Sequence, residues 1–311
     1  MGLSLRFERP IMNNKDRIDQ ALWITKTGIW GNMTLVFIKF AAGFWGRSSA
    51  LIADAVHSLS DFASDIMVIA GLKLGNRPAD RTHHYGHGKF ETLSAVLLGL
   101  LLILTATGLA ISGGGKIFKI LGGTIPARPG WIAVLAALLS ISVKEVLYRF
   151  TIKTGKKIDS PAVIANAVHH RSDALSSIGA MIGVAGAILF GEDFRILDPL
   201  ASIVVSFFIL KASLTIVKQS LNELLESSLD EGTEQEIMTI ITRVPGVNNP
   251  HNLRTRKIGN NIALDIHIEV DSNLNIKDAH AIALDVEKSL EQRYGPGTVI
   301  SIHTDPQEEG D

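Results

Sequence analysis

Apolar residues gather into six long stretches over the first two-thirds of the chain, near 22–45, 49–74, 91–113, 129–150, 162–190 and 197–218. Each is long enough for an α-helix to cross a hydrocarbon core, which takes about twenty residues. The third is the cleanest, running from Leu93 to Ile111 without a charge. The first, second and fourth are interrupted by Lys26, Lys39, Asp54, Asp61, Asp65, Lys144 and Glu145. Glycine and proline punctuate the connections, as in Gly75-Asn76-Arg77-Pro78 and Gly113-Gly114-Gly115. Past about residue 228 the pattern changes. Thr233 to Val244 predicts a short amphipathic helix. Ile262, Leu264, Ile266, Ile268 and Val270 alternate with polar positions, as in a strand with one buried face. Ala279, Ile282, Ala283, Val286 and Leu290 form a helical stripe, and Thr298 to His303 predicts another strand. With a strand near 251–257 the order is helix-strand-strand-helix-strand, a layer of helices on a small sheet.

The expected fold class is therefore an α-helical membrane protein with six transmembrane helices and a C-terminal α+β domain. The expected boundaries are an N-terminal segment over 1–21, a membrane domain over 22–220 and a soluble domain over 228–311. Composition agrees: 46% of the 311 residues are hydrophobic and 20% charged, an apolar part diluted by a polar one. A net charge of -1 argues against a nucleic-acid partner, which calls for a basic excess. Zero cysteines exclude disulfides and thiolate metal sites, leaving His, Asp and Glu as candidate ligands. The first twenty residues are polar (Arg6, Arg9, Lys15, Arg17), so no signal peptide is evident. The N-terminal segment, the 76–90 loop and the 144–157 stretch hold twelve basic residues, against five in the alternate loops. That bias predicts a multi-pass protein with both termini in the cytoplasm.

Ionisable groups inside apolar helices cost about 2.5–3.5 kcal/mol each on insertion scales, so they mark function. His57 and Asp61, and again His169 and Asp173, share an i,i+4 spacing that puts imidazole and carboxylate on one helix face. Two such helices facing each other offer two nitrogens and two oxygens, the complement of a tetrahedral divalent metal. A polar network fixing helix packing is the plainer alternative, and two repeats of one spacing fit it poorly. Asp65 lies one turn beyond Asp61 and is expected either to support the site or to sit near the cytoplasmic mouth, rather than to be a ligand. Outside the spans, His83, His84 and His87 crowd a loop beside Asp80. His251, His267, His280 and His303 fall in the last 61 residues, with Asp305 two positions after His303. Alternation turns His267 away from Ile266 and Ile268, and puts His303 and Asp305 on one side of a strand. His84 and His170 are expected to be bystanders.

With these residues in place, the chain resembles the cation diffusion facilitator family, metal/proton antiporters that move zinc and related divalent ions. The likeness covers nearly the whole length, the last domain resembling a ferredoxin or metallochaperone fold. It implies a transport site of His57, Asp61, His169 and Asp173, and a loop site of Asp80, His83 and His87 beside Gly86-His87-Gly88-Lys89-Phe90-Glu91. It also implies soluble-domain sites at His251, His267, His280, His303 and Asp305. A homodimer is implied as well, with a charge interlock at Lys89 and Glu226. The second-helix pair is His57 with Asp61, where some relatives carry two carboxylates. Two imidazoles and two carboxylates suit Zn2+ better than manganese or magnesium, which prefer harder oxygen ligands. Zn2+ is thus the expected cargo, and the expected regulatory or structural ion of the other sites. Because a ligand binds metal only after losing its proton, metal entry releases protons, and alternating access would then exchange zinc for H+. The chain's expected partners are divalent metal, protons, the lipid bilayer and a second copy of itself. An exporter of Fe2+, Cd2+ or Mn2+ on the same scaffold is one alternative. A metal-gated channel without proton coupling is another, and an intramembrane metalloenzyme the weakest, because no His-Glu-x-x-His run is present.

Overall fold

The computed structural model describes residues 14–45, 62, 64–123, 131–190 and 196–307. The N-terminal stretch, His57, Asp61 and much of the second apolar stretch lie outside the described residues. Described elements are α1 (Asn14–Trp45), α2 (64–75), α3 (Lys89–Leu121), α4 (Trp131–Lys157), α5 (Pro161–Phe190) and α6 (Leu197–Leu224). There follow α7 (Glu231–Thr242), β1 (Asn248–Ile258), β2 (Asn261–Val270), α8 (Ile276–Tyr294) and β3 (Val299–Pro306). They fall into two compact units, one over Asn14–Arg77 and Phe90–Leu221, the other joining Pro78–Lys89 to the chain from Asn222 onward.

In the helical unit, large apolar side chains such as Trp30, Phe37, Phe118 and Phe207 stand exposed, an arrangement suited to a lipid surround. Helices α3 and α6 approach closely through small residues: a Cβ at Gly113 would meet the Pro199 carbonyl at 3.0 Å. Among the described residues, the helix over Lys89–Leu121 and the segment Ile203–Leu224 are long and apolar enough to cross a membrane by themselves. The other helices carry charge inward. Arg17 of α1 is 4% exposed and donates through Nη2 to both oxygens of Glu91 at 2.8 and 2.9 Å. Its Nε donates to the Ile158 carbonyl at 2.8 Å, tying α1 to α3 and to the α4–α5 connection. Between α4 and α5, Arg171 pairs with Glu145 at 3.3 Å and lies over the Tyr148 ring. One expectation is corrected here. By charge alone the basic residues of 144–157 signal a loop, yet α4 runs to Lys157 and Lys144 is buried within it. A buried, paired ammonium carries no information on orientation.

The second unit has a three-stranded mixed sheet in the order β1-β2-β3. β1 and β2 form an antiparallel hairpin, while β2 and β3 pair in parallel, the crossover being α8. Leu264, Ile266, Ile268 and Val270 of β2 share one face and pack with Ile237 and Ile241 of α7 and Val286 and Leu290 of α8. Both helices thus cover one face of the sheet, as the alternation required. Each starts at a capping side chain: Asp230 accepts from the Thr233 amide at 3.1 Å and Asn275 from the Asp278 amide at 3.0 Å. The turn after α7 depends on Gly246, whose φ is +87° and where a Cβ would lie 2.7 Å from Ile282 Cδ1. Gly246→Ala is expected to destabilise this unit by about 1–3 kcal/mol, through backbone strain and the clash on α8. A lower urea midpoint for its unfolding would show this, and an unchanged midpoint would refute it.

Candidate metal centres

Of the four residues expected to form the transport site, the described pair is on α5. His169 is 6% exposed, and its Nε2 lies 3.9 Å from Asp173 Oδ2, one turn further along. The i,i+4 spacing therefore brings imidazole and carboxylate onto one face, as expected. Lys144 of α4 donates to the same Asp173 oxygen at 2.8 Å. Beside them, Asp65 of α2 is fully buried. Each of its oxygens accepts an amide hydrogen, from Asn32 at 3.0 Å and Asn166 at 2.9 Å. Asp65 is thus clamped by two side-chain amides, one from α1 and one from α5. His170 is fully buried and packs toward Gly28, where a Cβ would meet its Nε2 at 3.3 Å. Sequence inspection missed Lys144, Asn32 and Asn166. The signal available was a polar group within an apolar helix, the same signal that picked out the aspartates.

The loop group is compact because its spacing is local. The Asp80 Oδ1 accepts from the Thr82 amide at 2.7 Å, the Thr82 hydroxyl at 2.7 Å and the His83 amide at 2.9 Å, closing a tight turn. Those donors, the Thr82 hydroxyl foremost, hold its carboxyl well below the usual carboxylate range. Asp80 Oδ2 lies 3.4 Å from His87 Nε2, and Oδ1 lies 3.8 Å from His83 Nδ1. Ligand atoms of a tetrahedral zinc are about 3.3 Å apart, so the three residues fit one ion after small adjustments. His87 Nδ1 lies 3.2 Å from the Pro78 carbonyl, a contact that keeps the proton on Nδ1 and turns the Nε2 lone pair toward Asp80. His84 is exposed and is not in this group. The lowered Asp80 value has a consequence for pH. Its contribution to the turn is complete above the ordinary carboxylate value of about 3.9 and is lost only as pH falls through the lowered one. Asp80 is therefore expected to stay ionised, and to release no proton when zinc binds, at every pH above the ordinary carboxylate value. Calorimetric zinc titration between pH 3 and 8, on the Asp80→Asn variant beside the wild type, checks this, and a wild-type inflection near pH 4 that the variant lacks would contradict it.

In the second unit, sheet register does the assembling. His251 pairs with His267 across β1–β2, and His267 pairs with His303 across β2–β3, so three imidazoles lie in a row across the sheet. Ring centroids are 5.3 Å apart for the first pair and 4.6 Å for the second. The row occupies the face opposite Ile266 and Ile268, away from α7 and α8. Asp305 bridges it, with Oδ2 at 3.1 Å from His267 Nδ1 and Oδ1 at 3.0 Å from His303 Nε2. Ligand atoms of His251, His267 and Asp305 all lie within 4.8 Å of one another, close enough to share an ion. Irregularities in the β1 register on either side of His251 re-aim its ring, and its Nδ1 lies 2.9 Å from the Asn249 carbonyl. His280 is exposed on α8 and is not in this cluster.

Lys89 and Glu226 are joined by an ion pair, and Arg256 Nε contacts the other Glu226 oxygen at 3.1 Å. Both partners of the expected interlock thus meet within one chain. Arg256 also lies 5.5 Å from the centre of the Tyr85 ring, and Gly88 packs directly on Gly259 of the β1–β2 turn. The loop bearing Asp80, His83 and His87 is fastened to the hairpin at these points.

Two family models match the chain in succession: the cation efflux transmembrane domain over residues 25–225 and the cytoplasmic domain of cation efflux proteins over 229–307. Metal tolerance protein C1 of Arabidopsis thaliana is 36% identical over 298 residues, 91% of this chain and 62% of that one. Metal tolerance protein 2 of Oryza sativa subsp. japonica is 36% identical over 306 residues, 90% of this chain and 77% of that one. The manganese efflux system protein MneP of Bacillus subtilis is 33% identical over 279 residues, 88% of this chain and 92% of that one. The chain thus spans under two-thirds of the Arabidopsis relative's length and nearly all of the Bacillus one's. A helical membrane part followed by a small mixed α/β domain, in the order of the two matched models, places the chain in the cation diffusion facilitator family, whose members are metal-ion transporters and not enzymes.

Proposed function

We propose that this protein exports a divalent metal ion, zinc foremost, in exchange for protons, through His57, Asp61, His169 and Asp173. The observation that carries this is the α5 pair: an imidazole and a carboxylate one turn apart, in a helical unit with apolar flanks. Two carboxylates neutralise the dication as it leaves water, which a buried site requires. Free imidazole has a reference value of about 6.5, within the cellular range, which makes histidine a residue type able to serve as ligand and proton carrier in turn. Six spans with cytoplasmic termini, in an inner membrane, complete the topology.

The loop and sheet-face clusters fit bound zinc by donor type and spacing. The open face of the sheet, carrying His251, His267, His303 and Asp305, suits contact with a second copy. Zinc there would favour one dimer arrangement and bias transport, provided it binds the two states differently. Manganese is the second candidate cargo, favoured by the name of the Bacillus relative and opposed by the two imidazoles. Proteoliposomes with an internal pH dye, challenged with Zn2+, Cd2+, Fe2+ and Mn2+, test the proposal. Zinc-driven proton flux is expected. Metal flux without proton movement would mark a channel, and manganese alone driving protons would reassign the cargo.

A further inference from the structure

Lys144 is placed where an ammonium is costly. It lies within α4, its side chain is 2% exposed, and its Nζ reaches Asp173 Oδ2 at 2.8 Å. A buried lysine needs a compensating charge, and the charge it takes is that of a proposed cargo ligand. An ion shared by His169 and Asp173 through Oδ2, the oxygen that faces the imidazole, must displace the ammonium from it.

We propose that Lys144 is a tethered counter-cation of the transport site, holding Asp173 while no metal is bound and yielding it to the incoming ion. This rests on the transport role proposed for Asp173. The displaced ammonium keeps an acceptor nearby. Asp65 lies within electrostatic reach of both Lys144 and His169, and the amides of Asn32 and Asn166 fix its position. It sits on α2, whereas Asp173 sits on α5, so moving the ammonium from one to the other changes which helices α4 is paired with. Metal occupancy is thereby tied to the packing of three helices.

The tether also selects for charge. Coulomb attraction scales with charge over distance, so a dication at about 2 Å from a carboxylate is held roughly three times as strongly as an ammonium at hydrogen-bond distance. A monovalent ion gains no such margin and must compete against a cation that cannot leave. Lys144 therefore excludes sodium and potassium and sets how tightly zinc is held.

The test uses full-length protein in proteoliposomes, with initial zinc uptake measured against zinc concentration. Lys144→Met removes the competing cation. If the ammonium covers the carboxylate about nine-tenths of the time, the apparent KM should fall about tenfold, with a lower maximum rate because release is slowed. Lys144→Arg, which keeps the charge, should restore the wild-type KM. A merely structural lysine would lower the rate with KM unchanged or raised, and that result overturns the proposal. Should Lys144→Met not fold, Lys144→Gln removes the charge while keeping a hydrogen bond, and is read the same way. Asp173→Asn separates the two levels. Undiminished transport in that variant would sink the transport role itself. Abolished transport there, beside an unchanged KM for Lys144→Met, would sink only the counter-cation.

Discussion

Asp173→Asn is expected to lower zinc transport by two to three orders of magnitude. It removes a charged ligand from a dication and, in the same stroke, leaves the Lys144 ammonium facing a neutral amide. Breaking a buried charge pair from one side costs about 3–5 kcal/mol, and about 1.4 kcal/mol is a factor of ten in an equilibrium constant. Part of that cost falls on folding. The double variant Asp173→Asn with Lys144→Met separates the parts: removing the stranded ammonium should recover folded protein while transport stays lost. Initial zinc uptake, normalised to folded protein, is the measurement. A fall of less than tenfold would mean that the ion does not depend on Asp173.

Glu91→Gln is expected to give the largest loss of stability. Arg17 and Glu91 are each 4% exposed, and the guanidinium also reaches the Ile158 carbonyl, so one pair joins α1, α3 and the α4–α5 connection. Neutralising Glu91 leaves a buried guanidinium with carbonyl partners only, at a cost of about 3–5 kcal/mol. Arg17→Met combined with Glu91→Met should recover most of it, because well-packed apolar groups often replace a buried pair without loss. Thermal unfolding in detergent reads both. A shift under about 1 kcal/mol for Glu91→Gln would place the pair among solvent-screened surface bridges.

What the sequence disclosed follows from how local each signal is. The Asp80, His83 and His87 group was legible because a turn assembles it within eight residues. Alternation around Ile266 and Ile268 correctly turned His267 from the core, and the apolar period located α7 and α8. The row His251, His267, His303 was only half visible. Which histidine sits beside which depends on strand register and on the parallel β2–β3 crossover, neither of which alternation encodes. His280 had the right residue type and lies outside the cluster, since a helix position says nothing about which sheet face it can reach. Lys144 was misread for a physical reason. A lysine counted along the chain looks the same at a membrane edge and in a helix interface, and only the packing of α4 on α5 separates the two. The Arg17–Glu91 clamp spans 74 residues and leaves no trace in local pattern.

The most direct measurement is X-ray absorption at the zinc edge, on protein whose loop and sheet-face ligands have been replaced so that only the intramembrane quartet remains. One zinc per chain is expected, in a four-coordinate shell of two imidazole nitrogens and two carboxylate oxygens at about 2.0–2.2 Å. An absence of bound zinc, or a six-coordinate shell of oxygens alone, would contradict it.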